Sequence, residues 1–368
     1  MLVLLSSLLA PLHGQADALY TVTMLPAGFN PSGINNAGQM SGDIYLENGA
    51  HAALYSGGIV TDLGTFGGNA SYGRAINDAG AVTGTAESLS GWGSAFLYRN
   101  GSMTDIGAGT SGFGINARGD VVGQKYNVDG TRTAFLYRDG ALIDLGNLGT
   151  GTVALAHDIN DAGQVVGESD ISPEFHAPFH PFLYSDGSMR DLGTLAGFEN
   201  NSAVAINNAG LVAGYSTATD STLHAFVYRD GVMRDAGNFG GSEIAIGGIN
   251  EAGVFVGTAE TQTGQVGFAW LDGALVDLNT LIDPALGWTI DAAVGINDLG
   301  QIAAHGCREW ECGALRLDLA NAVPEPAGFL LLLPGLCAIV CLRRVKRSSA
   351  QAAVARRAPG NAVPAQQQ

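Results

Sequence analysis

Hydrophobic positions along residues 19–320 fall in short segments of about four to seven residues, separated by turn-forming residues. Ala134–Tyr137 is one such segment; it is followed by Asp139-Gly140 and then by a second segment, Ala141–Leu145. Aromatic and branched residues favour strands, and Asp-Gly accepts the positive φ of a tight hairpin. No ten-residue stretch of this region has a helical period, so the pattern predicts a β-hairpin.

A second hairpin follows the first. A glycine-rich loop leads to a segment that ends in Ile-Asn, and the turn Asn-x-x-Gly, as in Asn77–Gly80, comes next. The asparagine side chain can accept a hydrogen bond from two residues ahead, and glycine adopts the left-handed conformation at little cost. A further apolar segment, such as Gln164–Gly167, completes about four predicted antiparallel strands per unit.

This unit recurs seven times. The isoleucine of the Ile-Asn motif stands at positions 34, 76, 115, 159, 206, 249 and 296, with spacings from 39 to 47 residues. Four strands in 40–45 residues are typical of a β-propeller blade. The sequence therefore predicts an all-β fold, a β-propeller of about seven four-stranded blades over residues 19–320. A parallel β-solenoid is the alternative, but its shorter coils do not need two hairpin turns per unit.

The two ends of this region supply strands that could close the ring. Tyr20–Met24 has strand character and stands where the second strand of a unit is expected. Gly313–Leu317 could fill the vacant first-strand position of the same unit. We therefore expect a seventh blade built from one C-terminal strand and three N-terminal strands, which would remove the exposed edges of the sheet.

Residues 1–18 predict a signal peptide. Leu2–Leu9 is apolar, and Ala16–Ala18 has the A-x-A form of a signal-peptidase site, although the usual positively charged start is missing. Signal peptidase is then a processing partner, and the protein is exported. The alternative is a buried N-terminal strand or helix.

The C-terminal region differs in character from the repeats. A linker, residues 321–327, contains Pro324, Glu325 and Pro326, and residues 328–342 form an apolar segment of 15 residues. That is short for a span of about 20 residues, yet it predicts a short transmembrane helix. A basic cluster then stops the segment and favours a cytoplasmic end: Arg343, Arg344, Lys346 and Arg347. The remainder of residues 343–368 is rich in Ala, Gln and Pro, which predicts a disordered tail.

This order of Pro-Glu-Pro, apolar segment and arginine cluster resembles the PEP-CTERM sorting signal of bacterial proteins. The resemblance implies cleavage near the motif by an exosortase, after transient anchoring in the membrane. The 21 residues after the basic cluster depart from the family, whose members end sooner. A plain C-terminal membrane anchor is the alternative.

The repeat itself resembles the HAF repeat of extracellular bacterial proteins. The match is best at His224-Ala225-Phe226, and it is partial at His51–Ala53 and Ser94–Phe96. The resemblance covers most of residues 34–305. It implies an exported repeat protein, and it supplies no catalytic residue and no ligand.

Composition and charge exclude one class of binding partner. Only 14% of the 368 residues are charged, the net charge is −17, and glycine occurs 54 times without a three-residue period. Of the charged residues, 11 basic and 33 acidic ones precede residue 324, a net of −22 for that part of the chain. A protein this acidic lacks the basic surface that nucleic-acid-binding proteins use, so we expect no nucleic-acid partner.

Candidate chemistry lies where units depart from the repeat, at Ser88–Trp92, Ser172–Pro181, Leu281–Trp288 and His305–Glu311. Three tryptophans in these segments could stack on sugar rings or could simply anchor loops: Trp92, Trp288 and Trp310. Cys307 and Cys312 could form a disulfide in an oxidising compartment or remain free thiols. No catalytic motif or cofactor motif is present, and the aspartates do not follow the EF-hand pattern. His176 and His180 have the spacing of two ligands on one helix face, but Pro173, Pro178 and Pro181 exclude a regular helix, so we expect no metal there.

The resemblance to the PEP-CTERM signal, whose sorting system is linked to extracellular polymer production, implies a protein of the cell surface or extracellular matrix that associates with exopolysaccharide. Since no catalytic constellation is visible, we expect it to be non-enzymatic. Two alternatives remain open at this point. One is a secreted carbohydrate-active enzyme on a propeller scaffold, which would require a pair of suitably spaced carboxylates. The other is a lectin-like binder, whose affinity calcium could tune through the acidic surface.

Overall fold

The computed structural model describes residues 19–47, 49–174 and 177–320. The predicted signal peptide, the Pro-Glu-Pro linker, the apolar C-terminal segment and the tail lie outside these residues. Within them, no helix is both long enough and apolar enough to cross a membrane.

The described chain forms 28 strands arranged in seven four-stranded antiparallel sheets, so the seven-bladed propeller is confirmed. In each blade the strands are given from the innermost outwards. Blade 1 contains β2 (Phe29–Ile34), β3 (Met40–Leu46), β4 (Gly49–Ser56) and β5 (Ile59–Gly64), and blade 2 contains β6 (Gly67–Ile76), β7 (Val82–Ser88), β8 (Gly93–Arg99) and β9 (Ser102–Ala108). Blade 3 contains β10 (Thr110–Ile115), β11 (Val121–Tyr126), β12 (Arg132–Arg138) and β13 (Ala141–Gly146).

The next three blades have the same order. Blade 4 contains β14 (Ala154–Ile159), β15 (Val165–Asp170), β16 (Phe179–Ser185) and β17 (Ser188–Asp191), and blade 5 contains β18 (Phe198–Ile206), β19 (Val212–Ala218), β20 (Leu223–Arg229) and β21 (Val232–Gly237). Blade 6 contains β22 (Ile244–Ile249), β23 (Phe255–Thr261), β24 (Gly264–Leu271) and β25 (Ala274–Asp277). Two short 3-10 helices, Leu278–Thr280 and Pro284–Leu286, then lead to blade 7.

Blade 7 contains β26 (Thr289–Ile296), β27 (Ile302–Arg308), β28 (Glu311–Leu319) and, outermost, β1 (Tyr20–Met24). The pairing of the N-terminal strand with the last strand agrees with expectation, with Tyr20 opposite Leu319. The expected division was wrong, because three strands come from the C-terminus and one from the N-terminus. The reason is that each Ile-Asn strand is innermost, so β2 begins blade 1 instead of completing blade 7.

Hairpin turns of the predicted kinds build every blade. Non-glycine residues with a φ of 50–53° stand at five of the turns between third and fourth strands: Asn100, Asp139, Asp186, Asp230 and Asp272. Short polar side chains tolerate this left-handed conformation, and a glycine follows each of them. The turn residues therefore account for the regular spacing of the strands.

The core lies between neighbouring blades, and a phenylalanine from each third strand dominates it in five blades. The phenylalanines, which are at most 1% exposed, are Phe96, Phe135, Phe182, Phe226 and Phe268. Each pairs in register with a glycine of the second strand. At Gly214 an added Cβ would overlap the Ser202 carbonyl oxygen and would lie 2.5 Å from Cζ of Phe226. Glycine is thus required by close packing at this position.

Candidate functional site

The two ends of the propeller differ in chemistry because the strands alternate in direction. Turns from first to second strand and from third to fourth strand lie at one end, which we call the asparagine face. The connections from second to third strand and from one blade to the next lie at the other end, which we call the loop face. All four departures from the repeat fall on the loop face, so the sequence variation is concentrated at one end of the molecule.

A closed ring of seven buried asparagines encircles the channel at the asparagine face. Each side-chain Nδ2 donates a hydrogen bond to the backbone carbonyl of the asparagine in the next blade, at 2.8–3.3 Å. The members are Asn35, Asn77, Asn116, Asn160, Asn207, Asn250 and Asn297. The last bond, from Asn297 to Asn35, closes the circle at 2.8 Å. Asparagine is needed here because its Oδ1 accepts within its own turn while its Nδ2 reaches the next blade.

The sequence predicted the hydrogen bonds that each asparagine accepts within its own turn, but it did not predict the bond that each donates to the next blade. The turn bonds of Asn77 are as expected, with Oδ1 accepting from the backbone N–H groups of Ala79 and Ala81. The bond from its Nδ2 to Asn116 joins residues 39 positions apart, which no local pattern reveals. The invariance of asparagine among the seven repeat copies was the signal that could have indicated it.

Acidic residues that follow the asparagines also bridge blades. Asp78, Asp161 and Asp298 each accept a backbone N–H from the preceding blade at 2.8–2.9 Å, and Glu251 accepts one at 3.1 Å. Among the described residues, no group of three or more His, Cys, Asp or Glu side chains is arranged to hold a metal ion. These four carboxylates connect neighbouring blades, which is a structural role.

The histidines of the repeat have a structural use as well. In three blades, Nδ1 of the histidine on the third strand lies 2.7–3.0 Å from a carboxylate oxygen of the aspartate on the fourth strand. The pairs are His51–Asp62, His180–Asp191 and His224–Asp235. In these three blades the pairs link the third strand to the fourth strand.

The central channel holds a cavity of about 670 Å³ lined by the innermost strands. Every one of these strands has a β-bulge at the equivalent position. The residues at the seven bulges are Ser32, Arg74, Phe113, His157, Val204, Gly247 and Val294. A regular scaffold thus presents a lining that does not repeat, with polar residues on one arc and small or apolar residues on another. Bulges commonly re-aim side chains next to binding sites.

His157 is the titratable ring in this lining. Its Nε2 lies 3.9 Å from Oε1 of Glu168, and its ring packs 6.0 Å from that of Phe113. Burial lowers the pKa of His157, and the nearby Glu168 carboxylate opposes that shift. The imidazole is therefore neutral at pH 7.

Asp158 is the carboxylate among the residues that line the cavity. Its two oxygens accept the backbone N–H groups of Ile159 at 2.8 Å and of Ile206, in the next blade, at 2.9 Å. Burial raises the pKa of this carboxyl to about 6, although both hydrogen bonds oppose the shift. Asp158 thus ties two blades together at the channel wall.

A pH dependence of stability follows from Asp158 and Asp43. Burial also raises the pKa of Asp43 to about 6, against a backbone hydrogen bond from Gly73 and the charge of Arg74. In the unfolded chain both groups have the ordinary value of 3.8. Between about pH 4 and pH 6 the folded protein binds more protons, so this contribution to the free energy of unfolding decreases as pH rises.

We expect Asp43→Asn to flatten this dependence and to stabilise the protein at pH 7.5 by about 1–3 kcal/mol. The amide retains an oxygen that can accept the Gly73 N–H bond. Urea unfolding at pH 4.5 and pH 7.5 measures the effect. Asp272→Asn, at an exposed turn, is the matched control and should change neither value. An equal effect of both variants would contradict the role of burial.

Cys307 and Cys312 are joined by a disulfide, with the two sulfurs 2.04 Å apart. The two residues face each other in the β27–β28 hairpin of the closing blade, and Trp310 stands at the tip between them. The bond ties the loop that carries this tryptophan. This hairpin belongs to blade 7, which contains both the first strand and the last strand of the propeller.

Loss of this disulfide should cost about 1–2 kcal/mol, since the closed loop is short and a short loop removes little entropy from the unfolded chain. We expect calorimetry of the double variant Cys307→Ser, Cys312→Ser to show a lower melting temperature and a free energy of unfolding that is smaller by that amount. Dithiothreitol should lower the melting temperature of the original protein and leave that of the variant unchanged. A response of the variant to the reductant would contradict this assignment.

The three candidate tryptophans have different surroundings. Trp288 is half-buried against the core, and the Arg308 guanidinium lies 4.8 Å from its ring centre. Trp310 is 98% exposed at its hairpin tip, and Trp92 is 63% exposed in the β7–β8 connection. Trp288 therefore already has a cation on its ring, whereas Trp92 and Trp310 present open surface on the loop face.

Trp92 shares a cleft with a residue that sequence reasoning missed. The cleft has a volume of about 290 Å³ and lies between blades 2 and 3. Its lining consists of Trp92, Gly93, Gly109, Thr110, Ser111 and Tyr126. Tyr126 is 49% exposed, and the Arg132 guanidinium lies 5.7 Å from its ring centre. The irregular segment Asn127–Thr131 beside Tyr126 was the signal that could have indicated it.

No protein-family model and no curated protein matches this chain. Solved structures that are similar to it include a β-propeller domain. The β-propeller domain of the Trilobed protease from Pyrococcus furiosus matches with a TM-score of 0.52 and 10% identity, over 81% of this chain and 99% of that domain. A Mycobacterium tuberculosis puromycin-hydrolysing peptidase matches with a TM-score of 0.50 and 11% identity, over 83% of this chain and 52% of the peptidase.

TolB from Acinetobacter baumannii is a further similar structure, with a TM-score of 0.46 and 11% identity over 70% of this chain. The matched region spans 64% of the TolB chain. The seven four-stranded sheets define the chain as a seven-bladed β-propeller protein, and the match to the β-propeller domain of the Trilobed protease agrees with that fold. Identities this low establish a shared fold and nothing about the ligand.

Proposed function

We propose that the protein is an exported, exosortase-processed protein of the cell surface or extracellular matrix, whose propeller binds exopolysaccharide without cleaving it. One observation carries the proposal. Exposed aromatic side chains stand on the loop face of four consecutive blades, and two of them line one cleft: Trp310, Tyr45, Trp92 and Tyr126, of which Trp92 and Tyr126 share the cleft. Aromatic rings with one face exposed to solvent are the surfaces on which sugar rings stack, and several exposed rings at one end of a protein indicate a binding partner.

The two ends of the chain support export and processing. The first strand begins at Tyr20, two residues after the proposed signal-peptidase site at Ala16–Ala18. The last strand ends at Leu319, five residues before Pro324. Cleavage at both proposed sites would therefore leave every strand of the propeller in the mature protein. The apolar segment 328–342 and its basic stop would hold the precursor in the membrane until the exosortase acts.

The channel gives less support to a carbohydrate-active enzyme. Glycoside cleavage uses two carboxyl groups that face each other across the substrate. The described residues that line the channel cavity include one carboxylate, Asp158, and backbone N–H groups occupy both of its oxygens. We therefore propose binding in place of catalysis.

The binding proposal is tested with purified residues 19–320, a closed ring that contains all seven blades, and exopolysaccharide from the same host. Isothermal titration should give saturable binding, with polymer length unchanged on size-exclusion chromatography. Repeating the titration with calcium and then with chelator separates a calcium-tuned binder from aromatic stacking. Absence of binding would overturn the proposal, and shortening of the polymer would replace it with the enzyme.

The processing proposal is tested in host cells. Replacing Pro324, Glu325 and Pro326 with alanine should leave the full-length precursor in the membrane fraction, whereas the original protein should be found cleaved at the surface or in the medium. Alanine at 366–368 is the matched control and should be processed normally. Normal processing of the Pro-Glu-Pro variant would refute the role of the motif.

A further inference from the structure

The cleft between blades 2 and 3 has the features of a built saccharide subsite. Trp92 contributes from the β7–β8 connection, and Tyr126 contributes from the end of β11. Gly93 and Gly109 form part of the lining, so no side chain fills the space between the two aromatic residues. Ser111 adds a hydroxyl to the lining. An apolar cleft with few polar groups is the usual form of a small-ligand site.

The tyrosine is held in place before any ligand arrives. Its backbone N–H donates to the Gly109 carbonyl at 2.8 Å, and the Gly109 N–H donates to the Gly93 carbonyl at 2.9 Å. The buried Gln124 amide donates to the phenol oxygen at 3.2 Å. These bonds join the backbones of blades 2 and 3 beneath the cleft. A rigid aromatic residue loses little entropy on binding, which favours affinity.

Charge indicates which saccharide fits. Arg132 stacks over Tyr126 and takes part in none of the ion pairs found among the described residues. Lys125, the only lysine before residue 346, adjoins Tyr126 in sequence. The nearby carboxylate of Asp129 is bonded to the backbone N–H and the hydroxyl of Thr131. In a region of net charge −22, a stacked and unpaired guanidinium is a local site for an anion.

We propose that this cleft binds a uronate residue of an acidic polysaccharide. The sugar ring packs against Trp92, and the Arg132 guanidinium, which lies over the Tyr126 ring, receives the uronate carboxylate. This inference rests on the proposed function, because it names the class of polysaccharide and the place where it binds. It requires no covalent step and no bound metal.

The test uses the full chain and tetragalacturonate as the probe, with its methyl ester as the uncharged counterpart. We expect tetragalacturonate to bind more tightly than the ester. Trp92→Ala should weaken binding of both by about tenfold, since it removes one stacking surface. Arg132→Gln should weaken tetragalacturonate binding by about fivefold and leave the ester unaffected. Isothermal titration at low ionic strength measures all six affinities, those of the original protein and of the two variants for both probes.

Matched controls come from the same protein. Leu299→Ala removes an apolar side chain that is 60% exposed in a turn of the asparagine face, and Arg229→Gln removes an exposed arginine near another turn of that face. Both controls should leave the affinities unchanged. Equal affinity for acid and ester, or an equal loss in Leu299→Ala and Trp92→Ala, would overturn the inference.

The inference and the proposed function fail in different ways. If the host exopolysaccharide binds and Trp92→Ala has no effect on that binding, the cleft is wrong and the proposed function stands. If tetragalacturonate binds as expected and the host exopolysaccharide does not, the cleft stands and the proposed function is wrong. Melting temperatures of the variants should match that of the original protein, since the Trp92 side chain is mostly exposed.

Discussion

Replacing Phe226 with alanine should lower the free energy of unfolding by about 3–5 kcal/mol. The side chain is fully buried, and it packs against blade 4 through Val166 and Leu192. The opposing Gly214 has no side chain that could move into the vacated space. The cavity would therefore stay largely open, so the loss of contacts would add to the loss of apolar burial.

Guanidinium unfolding, followed by tryptophan fluorescence, measures this loss. The control is Val232→Ala in the same blade, where the side chain is 49% exposed and the change should stay within about 0.5 kcal/mol. Gly214→Ala offers an independent check, because its added Cβ would collide with the same phenylalanine and with the Ser202 carbonyl. A loss below about 1 kcal/mol in Phe226→Ala would show that the blades do not depend on this packing.

Removing strand β1 should have a larger effect, because it takes away the N-terminal strand that pairs with β28 in blade 7. A chain that begins at Leu25 loses the burial of Tyr20, which packs among Leu278, Ile282 and Ile290 in the core of blade 7. Loss of one such aromatic side chain costs about 3–5 kcal/mol. The truncation also leaves β28 as an exposed edge strand, which favours aggregation. We expect a much lower melting temperature and oligomers on light scattering.

The control is a chain that begins at Leu19, which lacks only the proposed signal peptide and should melt as the mature protein does. Adding a synthetic peptide of residues 19–26 to the truncated chain should restore part of the stability by pairing with β28. If the truncated chain remained monomeric and equally stable, closure by β1 would have no energetic importance.

The sequence predicted the fold because its signals are local and repeated. Asp139-Gly140 marks a hairpin by itself, and the regular return of Ile-Asn indicates how many blades there are. The starting point of each blade was wrong for a physical reason. A series of antiparallel strands looks the same wherever it is divided, and only the contacts between sheets show that the glycine-rich loop passes to the next blade.

The candidate site was predicted in part. The exposure of Trp92 and Trp310 agrees with their place in departures from the repeat. The proximity of Arg308 to Trp288, and the cleft that joins Trp92 to Tyr126, depend on packing between segments distant in sequence. A single sequence lists residues that could bind sugar, but it does not tell which of them share a surface.

The sequence by itself determined the strand pattern, the turns, the number of blades and the pairing of the two terminal strands. These depend on backbone conformation and on short periods, which a few adjacent residues specify. The tertiary structure alone decided the asparagine ring, the three-plus-one closure, the burial of Asp158 and the cleft beside Arg132. Each of these joins groups from different blades, and such contacts arise only when the sheets pack around a common axis.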